Sequence, residues 1–152
     1  MRGDRAQLLL VEDNAADVRL LREAMREART PNDVLIAGDG EQALEALTGR
    51  VDLPGTGRVD IVLLDLNLPR KSGLELLAEL RSDVKLRSTP VIILSTSTSQ
   101  ADIDRAYDLG ANCYIVKPVD FDQFRSVVAA IDHFWFGVVH LPGINDSVRQ
   151  TP

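Results

Sequence analysis

Five short, almost uninterrupted apolar runs, each followed by a segment of helical spacing, leave this chain little choice of architecture. The runs read as strands over about 7–12, 33–38, 59–64, 90–95 and 112–116. Apolar residues at nearly every position suit strands covered on both faces, not strands with one wet side. Between them, Val18, Leu21, Met25 and Ala28 recur at helical spacing. So do Leu74, Leu77, Leu80, Arg81 and Val84, and then Ile103, Ala106 and Tyr107. Strand–helix alternation of this kind predicts an α/β fold around a parallel sheet with right-handed crossovers.

Helix starts are marked independently of the periodicity. An N-cap residue is followed three positions later by an acid or amide at Asn14/Asp17, Asp39/Gln42, Ser72/Glu75, Ser99/Asp102 and Asp120/Gln123. Each pair can satisfy backbone donors that the first helical turn leaves orphaned. The segment 49–58 is rich in Gly and Pro and reads as a loop. Periodicity fades after Gly137. One domain over 1–136 and a C-terminal tail over 137–152, with no output domain, are therefore expected. No repeat or low-complexity tract interrupts this order.

A net charge of −6 disfavours general nucleic-acid binding and attraction to an anionic membrane surface. The only cysteine, Cys113, permits no intrachain disulfide and lies within a predicted strand, where packing is its expected role. No apolar run approaches the roughly 20 residues of a membrane-spanning helix, and Met1 to Gln7 lacks a signal-peptide pattern. A reducing, cytoplasmic location is expected.

Chemistry collects at the strand ends. Glu12-Asp13 follows the first strand, Asp65 the third, Ser95 closes the fourth, and Lys117-Pro118 follows the fifth. In a parallel sheet, groups just past the carboxyl ends of strands converge although they are distant in sequence. Three carboxylates brought together repel unless a cation compensates, and Mg²⁺ suits carboxylates with waters and phosphate oxygens. An ammonium and a hydroxyl on the rim point to a phosphoryl group. A carboxylate can itself be the nucleophile, forming an acyl phosphate.

These residues, with Asp65-Leu66-Asn67-Leu68-Pro69, Gly73 and Lys117-Pro118, resemble the receiver domain of bacterial response regulators over roughly residues 6–136. The resemblance implies a (βα)5 doubly wound, flavodoxin-like sheet of order 2-1-3-4-5. It implies that Asp65 accepts a phosphoryl group from a sensor histidine kinase with Mg²⁺ as cofactor. Asp13 and Asp65 would bind the metal by side chain, Asn67 by its backbone carbonyl and Glu12 through a water. Lys117 and Ser95 would engage phosphoryl oxygens, Tyr114 would be the switch aromatic, and Pro118 would follow a cis peptide bond. Thr96 stands where many members carry Ala or Gly; its bulk implies slower attack by water and a longer-lived phosphoryl state.

The last helix adds a possible output. Phe121, Phe124, Val127, Val128, Ile131, Phe134 and Trp135 form a stripe about 140° wide, more than one sheet contact requires. Phe136 falls off it, and Val138, Val139 and Leu141 prolong the apolar run. A homodimer through the last strand–helix face is expected, with Phe121, Phe124, Phe134, Trp135 and Phe136 at the interface. The loop at 49–58, Leu94-Ser95-Thr96-Ser97 and the aromatic end make the chain similar to the small stand-alone regulators paired with bacterial phytochrome kinases. Its chemistry would be confined to its own phosphorylation and dephosphorylation, without the turnover of an enzyme. Two alternatives use the same fold. An Asp-nucleophile phosphohydrolase would need a general acid where Asn67 stands, and a cap. A flavin carrier would need a Ser/Thr/Gly phosphate loop where Glu12-Asp13 stands.

Overall fold

The computed structural model describes residues 5–49 and 58–142. The expected loop at 49–58 and the tail beyond residue 142 lie almost wholly outside them. Five parallel strands form one sheet of order β2-β1-β3-β4-β5: β1 Ala6–Val11, β2 Asn32–Ala37, β3 Ile61–Leu64, β4 Val91–Ser95 and β5 Cys113–Val116. Helices α1 Ala15–Arg26, α2 Gly40–Leu47, α3 Gly73–Ser82, α4 Gln100–Asp108 and α5 Phe121–Ile131 follow the strands in turn. The strand ends differ from expectation by at most two residues.

The continuous apolar runs make sense once the period of two is applied to them. Leu9, Val11, Val62, Leu64, Val91 and Ile93 face one side, where they pack with Ala43 and Ala46 of α2, Leu76, Leu77 and Leu80 of α3, and Ala106 of α4. Leu8, Leu10, Ile61, Leu63, Ile92 and Leu94 face the other, against Leu21, Ala24 and Met25 of α1 and Phe124, Val128 and Ile131 of α5. One strand therefore feeds two cores, and a slip of a single residue would exchange every side chain between them.

All five anticipated caps form. Side chains of Asn14, Asp39, Ser72, Ser99 and Asp120 each accept from the backbone N–H three residues on, at 2.8–3.3 Å. At Ser72 the box is complete, because the Glu75 carboxylate accepts from the Ser72 N–H at 2.9 Å.

Several assignments on the helices change. Val84 lies beyond the end of α3 and is exposed, and Tyr107 is 48% exposed. Phe124 is buried at 1% in the core against the sheet, so it is removed from the expected dimer interface. The stripe was wide because α5 covers both the sheet and the flank of α1. After α5 the chain tightens no further but widens into a π-helical segment, Asp132–Phe136. Closing i→i+5 advances less per residue than an α-turn, so Phe136 packs beside Trp135 against the α1/α5 core instead of falling off the stripe. Phe134 stays outside at 49% exposure, edge-on to Trp135 with ring centroids 5.5 Å apart. The buried Asp132 carboxylate fixes this segment by accepting from the N–H groups of Arg29 and Thr30 at 3.0 and 3.2 Å.

Arg81 pins the opposite face. Its guanidinium donates to the carbonyls of Gly110, Arg87 and Thr89 and to Asn112 Oδ1, at 2.8, 3.1, 2.8 and 3.0 Å. Asn112 Oδ1 also accepts from Val91 N. One side chain thus joins the end of α3 to the starts of β4 and β5. Gly110, with φ of +106°, allows the approach, since a Cβ there would lie 2.9 Å from Arg81. Arg81→Met keeps the apolar volume and strands those acceptors. We expect a loss of about 2 kcal/mol, read as a lower urea midpoint at unchanged m-value.

Candidate functional site

The parallel register carries the sequence-predicted residues to one end of the sheet. Val11 pairs with Leu64, and the ladder continues one residue further: Asp65 N donates to Val11 O, and Glu12 N to Ala37 O, at 3.0 and 2.9 Å. On the other side Ser95 pairs with Val116, and Lys117 N donates to Ser95 O at 2.7 Å. Backbone hydrogen bonds alone therefore set Glu12, Asp65, Ser95 and Lys117 along one edge, before any side chain interacts.

Glu12, Asp13 and Asp65 each bring a carboxylate oxygen within 4.8 Å of the others. Glu12 and Asp65 are buried and Asp13 is exposed, so the cluster opens to solvent on the Asp13 side. Lys117 enters from β5. Its Nζ lies 2.8 Å from Glu12 Oε1, 2.8 Å from Asp17 Oδ2 and 3.4 Å from Asp65 Oδ2, with its side chain only 7% exposed. Glu12 Oε2 accepts from Asn14 N at 3.1 Å, and Asp65 Oδ1 from Asn67 N at 3.2 Å. Burial pushes the Glu12 carboxyl up to about 7, against the opposing hydrogen bond from Lys117 and with help from the charge of Asp65. For Lys117, burial works against the charge. The hydrogen bonds to Asp17 and Glu12 outweigh it and hold the ammonium above the ordinary lysine value.

Ser95 is fully buried, and its Oγ accepts from Ser97 N at 3.2 Å. Ser97 Oγ donates to Asp102 Oδ2 at 2.6 Å. Tyr114 is half-buried against the α2–α4 side, and its hydroxyl donates to Ser97 O at 2.9 Å. Lys117-Pro118 departs from expectation, since no cis peptide bond occurs among the described residues. The tertiary amide tolerates either isomer. Here the carboxylates of Glu12 and Asp17, with the Lys117 N–H to Ser95, already turn the ammonium inward.

Asp17 is the contact of Lys117 that the sequence reading missed; it passed as the capping partner of Asn14. The available signal was an acid one helical turn after Asp13 on the helix that opens from the site.

The donor set, three carboxylates with no nitrogen or sulfur ligand, suits a hard divalent ion. The comparisons with known proteins agree with this geometry. The family model described as the response regulator receiver domain matches residues 8–129. The chain belongs to this family. Response regulator Rcp1 of Synechocystis sp. is 36% identical over 135 residues, covering 89% of this chain and 92% of that protein. Among solved structures, the phosphorylated cyanobacterial phytochrome response regulator RcpA is 42% identical with a TM-score of 0.84, over 91% of this chain and 99% of that one. The Mn²⁺-bound form of Rcp1 superposes with a TM-score of 0.82 at 36% identity, over 91% and 99%. This receiver thus shares its fold with one relative solved in a phosphorylated form and another solved with Mn²⁺ bound. No helix among its described residues is long and apolar enough to cross a membrane.

Among the described glycines of this receiver, Gly73 has the least room for a side chain. Its N–H donates to Leu66 O, and a Cβ there would lie 2.3 Å from Asp65 O and 2.7 Å from Leu66 Cα. Helix α3 starts directly against the backbone that carries Asp65. Gly73→Ala must displace that backbone, and we expect about 1–3 kcal/mol lower stability in chemical denaturation. A midpoint equal to the wild type would show the Asp65–Leu66 backbone free to give.

Proposed function

We propose that Asp65 accepts a phosphoryl group from a phosphohistidine of a sensor histidine kinase, in a Mg²⁺-dependent reaction, and that the charge gained there switches protein–protein contacts. The observation that carries this reading is the buried Asp65 carboxylate beside an acidic pair and a half-engaged lysine. In the step, an Asp65 oxygen bonds to phosphorus while the phosphorus–nitrogen bond of the donor breaks. The bonding pair leaves on the imidazole nitrogen, and the product is an aspartyl phosphate. Asp13 and Asp65, the Asn67 carbonyl and Glu12 through a water would hold the ion. When bound, it would supply positive charge against the carboxylates and the phosphoryl oxygens. Lys117 contributes a fixed ammonium, and Ser95 a hydroxyl, to the same oxygens. Asn67 supplies no general acid for a leaving group, which counts against the phosphohydrolase alternative.

The switch would run through Ser95 and Tyr114, because Ser97 touches both. Domain limits of 1–136 for the receiver and 137–152 for the tail, and a cytoplasmic location, belong to the same proposal. So does a bacterial phytochrome as kinase, supported by the likeness to RcpA and Rcp1. The output surface would be a homodimer face. Exposed Val116, Val119, Phe134 and Val138 flank half-buried Phe121, Trp135 and Phe136 there.

Incubation with Mg²⁺ and acetyl phosphate should add one phosphoryl mass to the intact protein and none to Asp65→Asn. Labelling that survives in Asp65→Asn would remove the proposal. In the same time course Thr96→Ala should lose its phosphoryl group sooner than the wild type. Sedimentation at tens of micromolar should show a dimer that Phe134→Ser weakens; a wild-type monomer would remove the interface.

A further inference from the structure

Lys117 is held by two carboxylates that the phosphoryl group does not replace. An ammonium has three N–H donors, and three carboxylate oxygens surround this one: Glu12 Oε1 and Asp17 Oδ2 at 2.8 Å, Asp65 Oδ2 at 3.4 Å. The two short contacts fix the position of Nζ, and the long one leaves a donor underused beside the phosphoryl-accepting oxygen. Asp17 is placed for this from outside the metal cluster. It lies in the first turn of α1, its own N–H donates to Asn14 Oδ1 at 3.0 Å, and its carboxylate turns toward the buried lysine. It does not belong to the Glu12, Asp13, Asp65 group that could hold an ion.

We infer that Asp17 is a positioning residue for phosphoryl acceptance: with Glu12 it holds the Lys117 ammonium in place, so that the remaining donor meets a phosphoryl oxygen on Asp65 without a rearrangement of the lysine. The inference rests on the proposed function. In the step, the oxygen–phosphorus bond forms at Asp65, the donor's bond breaks, and Lys117 keeps all its protons throughout. Prepaying the orientation of a charged group is worth rate, since small misplacements of such groups are costly.

The test measures the rate constant of Asp65 labelling by acetyl phosphate with saturating Mg²⁺ in the wild type, Asp17→Ala, Asp17→Glu and Lys117→Ala. It adds the Asp17→Ala/Lys117→Ala double variant. Asp17→Ala should label about 10-fold more slowly, with part of the rate restored in Asp17→Glu. In the Lys117→Ala background the same substitution should change the rate less than twofold, because Asp17 acts through the lysine. Mg²⁺ affinity should stay within about twofold of the wild type in Asp17→Ala. In the metal-free protein, the Lys117 ammonium protons should give a resolved NMR signal that solvent exchange broadens in Asp17→Ala.

A single variant within twofold of the wild type would overturn the inference. So would an equal loss in the lysine-free background, a tenfold loss of Mg²⁺ affinity or an unchanged ammonium signal. These outcomes leave the proposed function standing. A wild type that takes no label removes that reading, and the inference with it.

Discussion

The ammonium of Lys117 is the charge on which this end of the molecule depends. Glu12 and Asp65 are buried side by side because the β1–β3 register places them there, and that register is set by two apolar cores, not by electrostatics. Burial, with the charge of Asp65 beside it, pushes the Glu12 carboxyl up to about 7. Lys117 offsets part of that cost from within hydrogen-bonding distance. The N–H of Asn14, at the start of α1, adds a smaller contribution by donating to the second Glu12 oxygen. The pocket is therefore cation-seeking by construction. The strands impose the acids, and the chemistry follows from what must balance them.

The fold was legible because several local signals agreed. Near-continuous strands, helical stripes and cap pairs such as Ser72/Glu75 each pointed to the same alternation, which is the consistency expected of a foldable sequence. The strand-end acids were legible for a related reason: a residue one step past a parallel strand has few places to go. What sequence could not show was distance across the sheet. Asp17 served two patterns at once, a cap partner and a lysine anchor, and the commoner explanation concealed the other. Phe124 was misplaced because a wide stripe does not reveal whether its second flank meets solvent or α1. Phe136 was misplaced because constant rotation of 100° per residue fails where the helix widens at Asp132–Phe136.

The helices on the two faces of the sheet are held unequally. On one face, α5 buries Phe124, Val128 and Ile131, and Asp132 ties the following turn to the α1–β2 connection. Moving α5 would expose three large apolar side chains, at roughly 1.5–3 kcal/mol each. On the other, α4 fully buries only Ala106, while Tyr107 is about half exposed. A displacement of α4 costs far less apolar surface.

The polar chain from the site leads to that loosely held helix. Ser95 Oγ bonds the Ser97 N–H, and Ser97 bonds Asp102 in the first turn of α4 through its hydroxyl and Tyr114 through its carbonyl. Tyr114 N in turn donates to the Tyr107 hydroxyl, back on α4, at 3.2 Å. The Ser97 hydrogen bonds to Asp102 and Tyr114 thus link the neighbourhood of Ser95 to α4 and to β5 beside it. Coupling needs an element with two arrangements of similar energy. The helix with one buried residue has less apolar surface holding it in place than α5, which buries Phe124, Val128 and Ile131.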